Sequence, residues 1–285
     1  MLLLMAMARI PWPMQRGLGR ALGWILRKTL RRRADVAARN LALCLPAMTP
    51  PEREALLREH FVALGIGIFE FARAWWGSIA PMRHGLQLEG LEHLQAARAG
   101  GRGVIVVSGH FTTLEVCGRL LCDHVPLAGM YRPYANAAME WAVLRGRLRY
   151  AAAMFTKQDV RGAVRHLKRG GLLWYAPDQD PSRGDSVYVP FFGQPAHSLT
   201  STHQLARMSG AAVVLFEHLR RDDGGYTLRL LPALDGFPSS DATADTARIM
   251  AGIESMVRQA PAQYLWIHRR FKRRPPGMAD PYADA

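Results

Sequence analysis

The sequence predicts an α/β fold, a mixed central sheet flanked by helices, with a helical amino-terminal region placed to associate with a membrane. Two observations carry this. From Gly85 onward short apolar runs alternate with helical patterns, which is the texture of a layered α/β sheet. Before Gly85, apolar residues recur at three- and four-residue spacing. The runs at 86–88, 104–107, 127–130, 172–175, 211–216 and 226–231 read as strands. The last two suit a hairpin turning at Asp222-Asp223-Gly224-Gly225. Between them, 91–99, 113–123, 136–150, 160–168 and 198–208 read as helices, and 242–259 as a final one. Earlier, Asp35 is placed to cap a helix through Leu45, stopped by Pro46, and 52–76 reads as one long helix. Its Phe61, Leu64, Ile68, Phe69, Ala72 and Trp75 form a core stripe, with Gly65 and Gly67 the weak points.

Ser108-Gly109-His110-Phe111-Thr112-Thr113-Leu114-Glu115 follows the buried-strand run Val104–Val107 directly. His110 therefore falls at the carboxyl end of a strand on the turn into a helix, where α/β proteins commonly place ligands. Glu115, on the first turn of that helix, is a candidate to hold one imidazole tautomer and raise its basicity. Thr112-x-x-Glu115 is equally a capping box. The octapeptide alone does not choose between a catalytic pair and a helix cap.

Length and near-average hydrophobicity fit one large domain, 34–275, with a membrane-associating segment at 1–33 and a loose tail at 276–285. The formal net charge of +14 calls for an anionic partner. Cys44, Cys117 and Cys122 are odd in number and form no CxxC pair, so neither a cysteine zinc site nor a disulfide framework is supported; Cys117 reads as a core residue. No uncharged amino-terminal run approaches the roughly 20 residues of a spanning helix. A signal peptide would need its positive residues before the apolar core, and here they follow it. Trp12, Leu18, Leu22, Trp24, Ile25 and Leu26, mixed with Arg16, Arg20, Arg27 and Lys28, suit a helix lying in a membrane interface, and Arg31-Arg32-Arg33 adds attraction to anionic lipid. The competing reading is an amphipathic helix packed on the domain.

Further polar clusters lie at the expected carboxyl ends of strands. They are Tyr131-Arg132-Pro133, Pro177-Asp178-Gln179-Asp180 and, soon after, Val187–Gly193. Asp178 and Asp180 are candidates to orient a polar headgroup or a pantetheine arm, or are turn chemistry. Arg145, Arg147 and Arg149 alternate within a helical pattern and do not share one face, although guanidinium is the right chemistry for phosphate. The histidines show no metal-ligand spacing, and no GxSxG elbow or dinucleotide fingerprint is present. The basic carboxyl-terminal cluster lacks any nucleic-acid-binding signature.

His110-Phe-Thr-Thr-Leu-Glu115 resembles the HX4(D/E) signature of glycerolipid-type acyltransferases. Other segments narrow the resemblance to the lipid A late acyltransferases. They are Arg39-Asn-Leu-Ala-Leu-Cys-Leu-Pro46, Met130-Tyr-Arg-Pro133, Trp174-Tyr-Ala-Pro-Asp-Gln-Asp180, Ser186-Val-Tyr-Val-Pro-Phe-Phe-Gly193 and Tyr264-Leu-Trp-Ile-His-Arg-Arg-Phe-Lys272. The resemblance implies an enzyme at the cytoplasmic face of the inner membrane. It would move an acyl chain from acyl carrier protein, as co-substrate, to a hydroxyl of a lipid A precursor. It implies no metal and no other cofactor. His110 would then be the general base, Glu115 its orienting acid, and Arg132 a candidate for the oxyanion. Arg132, Arg147, Arg149, Asp178 and Asp180 would be substrate-binding. The same chemistry on another lipid acceptor, an aminolipid or glycolipid hydroxyl, is the alternative. The amino-terminal apolar segment is shorter than in many relatives, which favours interfacial attachment over a single span.

Overall fold

The computed structural model describes residues 2–283. Met1 and the last two residues of the expected tail lie outside the described residues. The chain opens with helices α1 (Leu2–Met7), α2 (Trp12–Thr29), α3 (Arg31–Cys44), α4 (Pro50–Trp76) and the single turn α5 (Ala80–Arg83). The layered part follows as β1 (Leu86–Glu89), α6 (Leu91–Ala97), β2 (Val104–Val107), α7 (Leu114–Cys122), β3 (Leu127–Tyr131), α8 (Ala137–Arg147), β4 (Met154–Thr156), α9 (Val160–Lys168) and β5 (Leu172–Tyr175). It ends with β6 (Ser186–Phe191), β7 (Gln194–Leu199), α10 (Ser201–Ser209), β8 (Ala212–Arg220), β9 (Tyr226–Ala233) and α11 (Ala242–Gln259).

Among the described residues the main sheet has strand order β1-β9-β8-β2-β5-β3-β4. Its neighbours are parallel except for the antiparallel hairpin β8–β9. That hairpin turns where expected, with Asp223 Oδ1 accepting from Gly225 N at 2.7 Å. Alternation along β2 separates two cores. Ile105 and Val107 pack with Leu167 of α9, Leu205 of α10 and Ile253 of α11. Val104 and Val106 pack on the opposite face with Leu94 of α6 and Val116 and Leu120 of α7. Cys117 is fully buried there, as expected of a core cysteine, and burial pushes its thiol well above the ordinary range.

Several boundaries differ from expectation. α3 starts at Arg31, so Asp35 is interior to that helix and does not cap it. β4 is a three-residue edge strand, too short to stand out as an apolar run. Residues 198–199 belong to β7, and the helix there begins at Ser201. The segment Val187–Gly193 folds into the hairpin β6–β7, turning through Phe192 and Gly193, both at positive φ. A phenylalanine in that conformation gives no turn signal in sequence. Within the segment read as a tail, Tyr282 is buried; its hydroxyl donates to Asn40 Oδ1 and accepts from Phe271 N.

α4 ties the molecule together. Thr49 and Glu52 form its capping box, and it runs unbroken through Gly65 and Gly67. These glycines are sites of close approach: a Cβ on Gly65 would stand 2.1 Å from the Gly19 carbonyl oxygen, and one on Gly67 2.8 Å from that of Thr112. α4 contributes Leu57 and Phe61 to one core and Ile66, Ala74 and Trp75 to the other. α2 lies along it with Trp12, Gln15, Gly19 and Gly23 buried. The packed reading of α2 holds for one face, while Met14, Leu18, Trp24 and Ile25 remain exposed. No helix among the described residues is long and apolar enough to cross a membrane.

Glu70 of α4 is fully buried and accepts from Arg220 Nε and Nη2 at 2.5 and 2.6 Å and from the Tyr226 hydroxyl at 2.6 Å. This binds α4 to β8 and β9. Removing one partner of such a pair strands the other charge in the interior. Glu70→Leu is therefore expected to lower unfolding free energy by about 3–5 kcal/mol, with much of the loss recovered in Glu70→Leu/Arg220→Met, as read by urea denaturation.

His60, His218 and His268 give a second prediction. Burial pulls their pKa values down to about 4, 3 and 4. Folded values below the unfolded 6.5 mean that the unfolded chain binds more protons between about pH 6.5 and 4. Stability is thus full above about pH 6.5 and falls as the pH drops toward 4, by roughly 1.4 kcal/mol per unit for each histidine. His60→Gln should remove about a third of the slope that these three contribute, measured by urea denaturation between pH 7.5 and 5.

Candidate active site

β2 and β5 are parallel neighbours in the register Val107↔Tyr175. His110 and Asp178 each stand three residues beyond that pair, so the sheet brings them side by side. The Asp178 carboxylate meets His110 twice. Oδ1 lies 2.6 Å from Nδ1, and Oδ2 accepts the backbone N–H of His110 at 2.9 Å. Asp178 is wholly buried, whereas the His110 side chain keeps 30% of its surface. Burial alone would raise the Asp178 carboxyl. The His110 charge and its hydrogen bonds outweigh that and pull the carboxyl down to about 2, so it stays ionised. With Nδ1 committed, Nε2 is the nitrogen left to act. Position 218 of β8 is also three residues beyond its Val107 partner, Leu215. The neutral His218 ring packs there edge-on to Phe111 and Trp174.

The carboxyl-terminal aromatic–basic segment clamps this turn. Leu265 N donates to the His110 carbonyl at 2.9 Å, Thr112 N donates to the Gln263 carbonyl at 2.8 Å, and Phe111 bridges Tyr264. Asn40 of α3 holds the same segment, its Nδ2 donating to the carbonyls of Trp266 and His268. His110 is thus fixed by backbone pairing on one side and by Asp178 on the other.

Glu115 does not reach His110, and the capping box does not form. α7 begins at Leu114 with no side-chain cap, and Thr112 Oγ1 is buried without a partner. The Glu115 carboxylate faces α4 and α8 instead. It accepts from Arg147 through both Nε and Nη2, from Trp75 Nε1 at 2.9 Å and from the Tyr150 hydroxyl at 3.1 Å. Burial opposes its charge, but Arg147 and these hydrogen bonds hold the carboxyl below the ordinary range. The physical reason is competition: a nearly buried guanidinium aligned through two nitrogens takes the carboxylate more completely than a backbone N–H does.

His110 opens into a cavity of about 1230 Å³ running between α7, β3 and β4. Its inner wall is apolar, with Gly118, Cys122, Leu127, Met154 and Trp174. Arg132, Lys157 and Arg183 line it as well. Arg132 and Lys157 directly follow the paired residues Tyr131↔Thr156 at the carboxyl ends of β3 and β4. Of the other expected site residues, Arg147 lines the cavity but is engaged by Glu115. Arg149 does not line it and donates to the Trp75 carbonyl. Asp180 lines it, with its carboxylate between Arg273 Nη1 at 2.6 Å and His197 Nδ1 at 3.2 Å. The Val187–Gly193 hairpin does not line it; its Phe191 is core. Lys157 and Arg183 escaped the sequence reading because a lone cation in a turn carries no pattern.

Residues 1–273 match the family described as bacterial lipid A biosynthesis acyltransferase. A lipid A biosynthesis palmitoleoyltransferase of Escherichia coli (strain K12) is 40% identical over 276 residues, 96% of this chain and 90% of that protein. A lipid A biosynthesis lauroyltransferase of the same organism is 38% identical over 276 residues, again 96% of this chain and 90% of that protein. A lipid A biosynthesis acyltransferase of Haemophilus influenzae is 36% identical over 271 residues, 93% of this chain and 86% of that protein. With a family match over residues 1–273, an α/β sheet that presents His110 at a partly apolar cavity, and relatives of this identity, the chain belongs to the bacterial lipid A biosynthesis acyltransferases.

Proposed function

We propose that His110 is the general base of acyl transfer from acyl carrier protein to a hydroxyl of a lipid A precursor, and that Asp178 is the acid that orients it. The observation that carries this reading is the 2.6 Å contact between His110 Nδ1 and Asp178 Oδ1 at the wall of the apolar cavity. Nε2 takes the proton of the acceptor hydroxyl as its oxygen attacks the thioester carbonyl carbon. The carbon–sulfur bond then breaks, and the imidazolium returns the proton to the departing sulfur. Asp178 stabilises the imidazolium without leaving its anionic state. A covalent acyl-enzyme is not required, because the thioester is already activated and the cavity supplies proximity.

The apolar inner wall takes the acyl chain, as the relatives' palmitoleoyl and lauroyl transfer calls for. Arg132, Lys157 and Arg183, which have no carboxylate partner among the described residues, are the cations offered to phosphates of the acceptor. Glu115 and Arg147 act as a positioning pair that fixes α7 against α8 and α4, not as the base's partner. The exposed apolar residues of α2, with Leu3 beside them on α1, lie in the cytoplasmic interface of the inner membrane. Leu4 of α1 lines the cavity, so that attachment puts the opening where a lipid acceptor arrives.

With acyl carrier protein donor and a tetra-acylated precursor, His110→Ala and Asp178→Asn are each expected to lower kcat by about 10²–10⁴. Mass spectrometry of the product lipid reads the rate; near-native turnover in either variant removes that residue from the mechanism. Glu115→Gln should behave differently. Leaving Arg147 uncompensated costs on the order of 3 kcal/mol of stability, seen as a lowered melting temperature. A large fall in kcat at unchanged melting temperature would return the orienting role to Glu115.

A further inference from the structure

α9 carries a surface that the reaction chemistry does not use. Arg161, Arg165 and Lys168 recur at i, i+4 and i+7 and so share one face of the helix. With Val160, Val164 and Met208 of α10 they line a surface groove of about 360 Å³. Arg169 and Arg207 extend the exposed cationic rim. Among the described residues none of these five cations has a carboxylate partner. The nearest acid in sequence, Asp159, is occupied in capping α9, its side chain accepting from Gly162 N at 2.9 Å. A basic face with no internal counter-charge and a small apolar floor is half of an interface.

The groove's place in the fold identifies the other half. α9 starts three residues after Lys157, which lines the cavity at the carboxyl end of β4. α9 and α10 pack on the sheet face of Ile105 and Val107. The exposed apolar residues offered to a bilayer sit elsewhere, on α1 and α2. The apolar floor here is two valines and a methionine with no exposed aromatic residue, too little to insert into lipid but enough to receive side chains of one helix. We propose that the α9–α10 groove docks the acyl-bearing carrier, a small acidic protein that lays an acidic amphipathic helix into it and directs its pantetheine arm past Lys157 into the cavity. This rests on the donor assigned above and adds the surface that recognises it.

The test compares two donors of one acyl group, dodecanoyl-acyl carrier protein and dodecanoyl-pantetheine, on the full chain and on Arg161→Glu/Arg165→Glu/Lys168→Glu. The variant should show KM for the carrier-linked donor raised about tenfold or more, with kcat and all pantetheine-linked kinetics within about twofold of the parent. Raising NaCl from about 50 to about 300 mM should raise the parent's carrier KM and leave the variant's nearly flat. Equal loss with both donors, or no loss with either, overturns the docking assignment. An unchanged carrier KM with lost sedimentation on anionic phosphatidylglycerol vesicles overturns it in favour of a lipid-facing patch. If the parent turns over the pantetheine donor but not the carrier-linked one, the donor assignment itself fails.

Discussion

A carboxylate with no exposed surface is one of the costliest groups a fold can contain, and Asp178 is such a group. It is sustained by His110, which supplies a backbone N–H, an imidazole N–H and, when protonated, a full opposite charge. The dependence runs both ways. The imidazole gains a fixed tautomer and a defined direction for Nε2 because Asp178 cannot turn away toward water. Much of the surrounding architecture follows from keeping these residues in register. Parallel pairing of β2 with β5 sets their spacing, pairing with residues 263–265 pins the His110 turn, and Asn40 pins that segment in turn.

The same constraint explains which parts of the site the sequence disclosed. The strand runs, the long helix ending at Trp76, the final helix and the β8–β9 hairpin were legible because apolar periodicity is local. His110 was legible because it ends a buried run. The acid that contacts it is Asp178 and not Glu115, the acid near in sequence, because contacts across a parallel sheet come from an adjacent strand at any chain distance. A signal did exist: the runs 104–107 and 172–175 are both four residues long, and His110 and Asp178 each follow three residues after. Only the pairing of those two strands, a tertiary fact, turns equal offsets into contact. The short β4 and the Phe192–Gly193 turn hid for other reasons, since three residues make no apolar run and a phenylalanine at positive φ gives no turn signal.

Glu115 shows how one residue type in one motif can serve a different physical end. Its carboxylate collects a guanidinium, an indole N–H and a phenol from α8, α4 and the turn after α8. Each of these elements meets the cavity, whose lining includes Phe71, Glu115, Arg147 and Tyr150. Replacing the acid would therefore disturb the shape of the cavity as well as its charge. A motif that pairs a histidine with an acid five residues on is thus compatible with two roles for the acid, and only the donor set around the carboxylate separates them.

The arrangement also divides the surface by the chemistry of what must reach His110. Leu3, Met14, Leu18, Trp24 and Ile25 form an exposed apolar group on α1 and α2, and Leu4 of that region touches the cavity. The unpaired cations of α9 and α10 lie on a helix layer that packs against Ile105 and Val107, beyond Lys157. On the proposed reading both substrates are anionic, but only the acceptor carries lipid chains to insert and only the donor carries a protein surface to dock, so one patch does not suit both. Separate approaches converging on His110 would let both substrates be held at once, which the proposed direct transfer without an acyl-enzyme demands. The long-range attraction of a net charge of +14 would act on both partners alike. On the proposed reading discrimination therefore has to come from local contacts, with lipid insertion at α2 on one side and helix-to-groove fit at α9 on the other.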